Sequence, residues 1–509
     1  MSDLDEVVRA RVEALEADRI LPRIWDQDHT VWRPDPGEIS DRLGWLHVHE
    51  EMTPRIEELR TFAQGCVADG LRWAVLCGMG GSSLAPEVFR ESFGAPDDAL
   101  DLVVLDTTHP DQILALEEAV DLDRSLFVIA SKSGTTVETR SHLEHFWARR
   151  PDGARFVAIT DPGTPLSGIA AERRFRRGFE NPPDIGGRYS ALSYFGLVPA
   201  ALIGADLGAL LDGAGSVAAA CGPEVPAADN PAAVLGGWLG VATLAGRDKL
   251  TMAFHGSVAT LASWVEQLIA ESTGKEGTGI VPIEGEALGP PTIYGSDRLF
   301  VGAGSGEQRT ILAWLERSGH PVFWSPVREP SELGGAMFRW ELATAVVGHI
   351  LGIQPFDQPD VQAAKDATDR VLTGGIRAAV EAGDLGDVVS GLEPGDYVAI
   401  QAFVPRDDAT AVRLRSVRHR IRDRRRMATT VGFGPRFLHS TGQLHKGGPP
   451  TAVCLQVVEE PEADVRIPGQ AYSFGDLLAA QADGDLQALR DRGRRVARVS
   501  MAELETFPW

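Results

Sequence analysis

The sequence predicts an α/β protein: two three-layer αβα domains with mainly parallel sheets, plus a smaller C-terminal α/β section. Three observations carry this expectation. Short apolar runs (Trp73–Cys77, Leu102–Leu105, Leu126–Ala130, Phe156–Ile159) alternate with helical patterns from residue 71 onward. Uniformly apolar runs of that length suit a parallel sheet covered on both faces. After Ala/Leu-rich helical stretches at 191–221 and 231–246, a second series starts with Lys249–Phe254 and continues through Leu299–Val301 and Pro321–Trp324. From about 386 a third, shorter series has strand-like runs Tyr397–Val404 and Ala452–Val458 around a helix at 409–426.

Residues 1–70 read as a helical lead-in. Leu4, Val7, Val8, Val12 and Leu15 recur at helical spacing, a second helical segment spans 52–69, and Asp35-Pro36-Gly37 separates them. The first domain is assigned to 71–230. The second, 231–385, is closed by helices at 335–352 and 360–373. The C-terminal section is 386–509, with one more helix and a short strand in its tail.

Composition narrows the class. The 509 residues are 43% hydrophobic and 24% charged, ordinary for a globular protein. A net charge of −23 argues against a nucleic-acid or membrane-surface partner, while a local pocket can still be positive. Cys66, Cys77, Cys221 and Cys454 form no CxxC pair and read as small core residues in a reducing compartment, with no metal site. The N-terminal stretch is charged and helical, unlike a signal peptide, and no apolar run reaches about 18 residues. A cytoplasmic, enzyme-sized protein is expected.

The most informative stretch is Ser131-Lys132-Ser133-Gly134-Thr135-Thr136, between a buried strand and a helix N-terminus. Free N–H groups and the positive end of the helix dipole meet there, and Ser131, Ser133, Thr135 and Thr136 add hydroxyl donors. A phosphate group suits that place better than an ordinary Ser/Thr cap does. Gly78-Met79-Gly80-Gly81-Ser82-Ser83 also follows a strand and opens a helix. It falls short of a dinucleotide fingerprint because Ser83 stands where the third glycine belongs, although Asp106 ends the next strand. A tight turn bringing backbone against a ligand competes there with a purely structural turn.

Gly186-Gly187-Arg188-Tyr189-Ser190 sets a cation beside permissive backbone, which suits an anionic partner or an ordinary loop. Gln267 and Glu271 share a helix face, as a general base and its neighbour or as a solvated pair. The following Ser272-Thr273-Gly274-Lys275 is not a Walker A loop. Gln358 and Lys365 lie two helical turns apart. His439 and His445 sit in a Gly-rich stretch, 439–448, suited to proton transfer, to phosphate contact or to a structural loop. The helix at 413–426 carries eight arginines around a stripe of Leu414, Val417 and Ile421, and is expected to present a solvated, ion-paired face.

Together GMGGSSLAP (78–86), SKSGTTVET (131–139), GGRYS (186–190), QLIAESTGK (267–275) and PFDQPDVQAAK (355–365) resemble the phosphoglucose isomerase family. The resemblance implies two domains of sugar-isomerase type and reversible conversion of glucose 6-phosphate to fructose 6-phosphate without metal or organic cofactor. By motif it implies that Ser131, Ser133 and Thr136, with the Lys132 backbone, hold phosphate, and that Gly81 and Ser82 touch the sugar. Glu271 would move the proton between C2 and C1, and Arg188, beside Gly187, would stabilise the enediolate. Gln267 and Gln358 would orient hydroxyls, and Lys365 would assist ring opening. The family is commonly dimeric, so the resemblance also admits a homodimer.

The stretch 434–449 is similar to the isomerase half of bacterial transaldolase–isomerase fusions, and with no transaldolase barrel before Met1 a free-standing relative is expected. One departure stands out. The family's ring-opening histidine is missing from Gly302-Ala303-Gly304-Ser305-Gly306-Glu307-Gln308, and the next histidine is His320. Either His445 or His439 takes over, or the enzyme relies on open-chain sugar and Lys365, or the chain binds sugar phosphates without turning them over. The first is preferred, with His445 favoured for a flexible, polar setting. A non-catalytic sugar-phosphate sensor and, more weakly, a nicotinamide-linked enzyme are the competing functions.

Overall fold

In the computed structural model, residues 3–304, 306–360 and 382–509 are described, and they form three sheets whose strands all pair in parallel. The first contains β1 (Trp73–Cys77), β2 (Asp101–Leu105), β3 (Ser125–Ala130), β4 (Phe156–Thr160) and β5 (Arg177–Glu180) in the order β2-β1-β3-β4-β5. The second contains β6 (Lys249–Phe254), β7 (Val281–Ile283), β8 (Arg298–Ala303) and β9 (Val322–Trp324), ordered β7-β6-β8-β9. The third contains β10 (Tyr397–Phe403), β11 (Ala428–Phe433), β12 (Ala452–Val458) and β13 (Arg495–Val499), ordered β11-β10-β12-β13.

The central strands show why uniform apolarity matters. Every residue of β3 and β6 is buried, because helices cover both faces. On one face of the first sheet Phe127 stacks between Phe146 and Phe156, with ring centroids at 4.6 and 5.0 Å. Each such ring contributes roughly 1.5–3 kcal/mol by leaving water. The same face is covered by Val465, Ile467, Phe474 and Leu477 from the C-terminal section. The other face joins a core that runs from the N-terminal helix Asp3–Ala17 through the helices Leu207–Ala220, Pro231–Leu244 and Leu333–Leu351. Residues of the second and third sheets meet in another cluster around Ala270, Ile283, Tyr397 and Leu444. The C-terminal section therefore lies against both earlier sheets and can send side chains between them.

Several expectations change. The stretch at 191–221 is two helices, Tyr194–Leu202 and Leu207–Ala220, because Gly204 turns the chain at φ 73°. Strands β5, β7 and β11 were not expected. The helix expected at 360–373 lies outside the described residues beyond Asp360. The Arg-rich helix is Asp408–Arg425, and its face is only partly solvated. Arg413 pairs with Glu505, but Arg418 and Arg422 are buried and donate to the carbonyls of Thr429, Glu284 and Ala287. The Gly-rich stretch holding the two histidines is ordered as a 3₁₀ turn, Arg436–His439, and a short helix, Gly442–Gly447.

Candidate active site

The hydroxyl-rich loop begins where β3 ends. Ser131 N–H donates to the Ile159 carbonyl at 3.0 Å, continuing the sheet register by one residue. The loop then bonds to itself: Ser131 Oγ lies 2.9 Å from Thr136 Oγ1, the Gly134 N–H donates to Ser131 Oγ at 3.1 Å, and Ser133 Oγ lies 2.9 Å from Thr135 Oγ1. Gly134 has φ 66°, and a Cβ there would sit 2.8 Å from Leu166 N. The helix Val137–Arg149 follows at once, so its first-turn N–H groups open onto this loop. Lys132 directs its ammonium to Asp161 at 2.5 Å and to the Pro183 carbonyl at 2.8 Å. Its backbone, not its charge, belongs to the loop. Such a cradle fits a dianion.

Two glycine turns interlock beside it. A Cβ on Gly81 would lie 2.0 Å from the Gly187 carbonyl oxygen, and one on Gly80 (φ 54°) would lie 2.5 Å from that of His439. The GGSS turn thus brings together the Arg188 segment and the C-terminal section. Ser82 is buried in this turn. Asp106 Oδ2 accepts from Ser83 Oγ at 3.1 Å and from Arg436 Nη1 at 2.7 Å. The carboxylate at the end of β2 is thus tied to Arg436 of the C-terminal section and is 3% exposed.

Arg188 is 2% exposed and fixed on every nitrogen. Nε donates to Ser272 Oγ at 2.8 Å, Nη1 to Gln358 Oε1 at 2.9 Å, and Nη2 to the carbonyls of Pro355 at 2.6 Å and Asp357 at 3.0 Å. Nη1 also lies 3.3 Å from Glu271 Oε1. The other Glu271 oxygen accepts from Gln267 Nε2 at 3.0 Å, and that same nitrogen reaches the His439 carbonyl at 2.8 Å. Gln267 Oε1 is buried and has no hydrogen-bond partner among the described residues, so it retains acceptor capacity. A fixed cation, a carboxylate and an amide converge here with little freedom to reorganise.

Lys275, noted in the sequence only for failing the Walker pattern, supports this group. Its ammonium donates to the Asp357 carbonyl at 2.6 Å and carboxylate at 2.7 Å, pinning the loop that carries Gln358. Burial, reinforced by the nearby Arg188 charge, brings its pKa down to about 8. Lys365 lies outside the described residues.

The two histidines part company. His439 Nε2 is 2.8 Å from Glu138 Oε1, in the first turn of the helix after the hydroxyl-rich loop. Gln481 Nε2 donates to the same oxygen at 2.7 Å. Arg436, paired with Asp106 and Glu87, anchors the turn. His445 is 2% exposed, its Nδ1 3.0 Å from the Tyr397 hydroxyl and its ring against Phe437. Its expected flexible, polar setting is therefore corrected: it is packed inside the short helix, and burial brings its pKa down to about 3. His320 packs on Phe300 and Tyr294. Glu138 was missed as a functional candidate although the quoted motif contains it. Its signal was an acidic residue two positions past the last loop hydroxyl.

Comparison with known proteins bears on the family. Residues 44–292 match the family model described as Phosphoglucose isomerase. The chain is 30% identical over 386 residues to a glucose-6-phosphate isomerase of Citrifermentans bemidjiense, covering 64% of this chain and 71% of that one. It is 29% identical over 404 residues to a glucose-6-phosphate isomerase of Thermus thermophilus, covering 66% and 92%. Among solved structures, a hypothetical protein from Thermus thermophilus superposes with a TM-score of 0.63 at 25% identity, over 73% of this chain and 97% of that one. A glucose-6-phosphate isomerase from Chlamydia trachomatis shares the fold, with a TM-score of 0.54 at 19% identity over 71% and 79%. With the motifs, the fold and these relatives in agreement, the chain belongs to the phosphoglucose isomerase family.

Proposed function

We propose that the chain interconverts glucose 6-phosphate and fructose 6-phosphate by proton transfer through a cis-enediolate. The observation that carries this reading is a continuous hydrogen-bonded path. It runs from Glu138, beside the phosphate loop, to His439 at 2.8 Å, from the His439 carbonyl to Gln267 at 2.8 Å, and from Gln267 to Glu271 at 3.0 Å. Arg188 closes it, 3.3 Å from Glu271.

In this reading the phosphate sits on Ser131, Ser133, Thr135 and Thr136 and the Lys132 backbone, with Gly81, Ser82 and Gly187 against the sugar. His439, oriented by Glu138, moves the proton between the ring oxygen and the C1 hydroxyl oxygen. Lys365 assists that step. Glu271 then removes the C2 proton and returns it to C1, while Arg188 holds the negative oxygen of the intermediate. Gln267 and Gln358 orient hydroxyls. Segment 71–230 thus supplies the phosphate loop, 231–385 the base, and 386–509 the ring-opening group. We place the activity in the cytoplasm, where four unpaired, buried cysteines suit a reducing compartment.

The test is interconversion of the two sugars by purified protein, followed by NMR, with Glu271→Gln alongside. Turnover should fall by about 10³-fold or more while sugar-phosphate binding persists. Binding of both sugars by the wild type without turnover would transfer the case to the sensor reading.

A further inference from the structure

The helix Leu261–Thr273 also lines a cavity on a face other than that of Gln267 and Glu271. Ser263 and Glu266, one turn apart, point into this cavity of about 210 Å³. Its other walls are the start of the helix Leu84–Phe93, the Arg-rich helix, β11 and the outer side of the turn that carries His439. At roughly 30 Å³ per water, it has room for about seven waters or one molecule of amino-acid size.

Both signs of charge are left incompletely paired there. Arg418 is 4% exposed, yet its bonds go to the Thr429 hydroxyl at 3.3 Å, the Thr429 carbonyl at 2.6 Å and the Glu284 carbonyl at 2.7 Å. That uses three of five N–H donors and places no carboxylate in contact among the described residues. Arg415, on the same helix, has no hydrogen bond or ion pair among the described residues. Arg406 and Arg436 also reach the cavity but are held by Glu87 and Asp106. Facing the cations are the carboxylates of Glu266 and Glu284, neither of which has a hydrogen-bond partner among the described residues. Phe433 and Phe437 supply an apolar floor.

We propose that this cavity binds a small zwitterion of the α-amino-acid type, with its carboxylate on Arg415 and Arg418, its ammonium between Glu266 and Glu284, and its side chain over Phe433 and Phe437. A charge-assisted bond to Arg418 would supply the anion contact this buried cation lacks. An ammonium would stabilise Glu266 as a carboxylate beside Glu284. Burial, and then the Glu284 charge, push Glu266 up to about 8 against the opposing pull of Arg418 and Arg436. Binding an ammonium therefore displaces a proton from Glu266, and affinity strengthens as pH rises toward 8. The site is independent of the isomerase reading.

Full-length protein is titrated with each common L-α-amino acid by ligand-observed NMR, using the matching α-hydroxy acid and primary amine as controls. At least one amino acid should bind, with both controls about tenfold weaker or worse. Arg415→Ala and Glu266→Gln should each weaken binding by about tenfold with an unchanged thermal midpoint. The proposal fails if no amino acid binds, if both variants bind normally, or if the α-hydroxy acid binds as well as the amino acid.

Discussion

His439 and His445 belong to one short Gly-rich stretch, yet their surroundings have little in common. The turn Arg436–His439 lies over the GGSS turn, its carbonyl on Gln267 and its imidazole on a carboxylate of the first sheet's helix. The helix Gly442–Gly447 faces the core, where Tyr397 and Phe437 enclose His445. A Cβ on Gly274 would come within 2.4 Å of Leu444 Cα, so this helix is wedged against the end of the helix carrying Glu271. The difference teaches that glycine content marks close approach as readily as freedom. In this stretch the glycines permit packing, and the histidine beside the hydroxyl-rich loop's helix is the one held by a carboxylate 301 residues earlier in the chain.

The sharpest way to break this contrast is His439→Gln. Turnover of the cyclic sugar should drop by about 10²-fold, measured as interconversion at saturating substrate. A variant with wild-type rates would leave the two regions functionally alike. A smaller loss is expected from Glu138→Gln, which leaves the imidazole in place without its carboxylate. There kcat should fall by about tenfold with KM little changed, and Glu138→Asp should restore part of the rate. Equal losses in the Asp and Gln variants would reduce Glu138 to a structural contact.

The smallest catalytic effect is expected for His445→Gln, with turnover near wild type and a change in acid stability instead. The folded protein holds His445 near 3, below the usual 6.5, by burial and then by the positive charges of Lys446 and Arg494. Between those values the unfolded chain binds the extra proton, so this stability is complete above about 6.5 and is lost as pH falls toward 3. His145, at about 3, and His142, at about 4, act in the same direction. Chemical unfolding midpoints should therefore depend less steeply on pH over that window in His445→Gln. An unchanged slope would remove His445 from the buried neutral set.

Much of the fold was readable because its inner strands are buried on both faces. The runs that became β1, β3, β4, β6, β8, β10 and β12 are apolar for that reason. The unexpected strands β5, β7 and β11 are all at sheet edges. In β5 only Phe179 is buried, and β7 is three residues long with a proline in the middle. An edge strand needs one covered side and one partner, so its composition carries a weaker signal. The site divides similarly. Arg188, Gln267, Glu271 and Gln358 lie in motifs, and the structure brings them together. Glu138, Ser272 and Lys275 lie in the same motifs, but their partners His439, Arg188 and Asp357 stand 301, 84 and 82 positions away, and Arg436 reaches Asp106 across 330, contacts on which local spacing is silent. The same limit made the Arg-rich helix read as a solvated face when two of its arginines reach the connection between β7 and β8 in the second sheet.

The interlocked glycine turns also bear on when the site can exist during synthesis. Gly81 closes on Gly187, but Gly80 and Gln267 wait for the His439 backbone, and the Glu138–His439 contact spans 301 residues. At about 5–20 residues per second, the ribosome needs roughly 15–60 s to go from Glu138 to His439. Until then the first two sheets have no C-terminal partner, and the buried face around Phe127 and Phe146 lacks Phe474 and Leu477. The nascent chain therefore carries an incomplete apolar surface through most of its synthesis. Its need for chaperone shielding should end only when the segment 465–477, made after the site-completing turn, has docked.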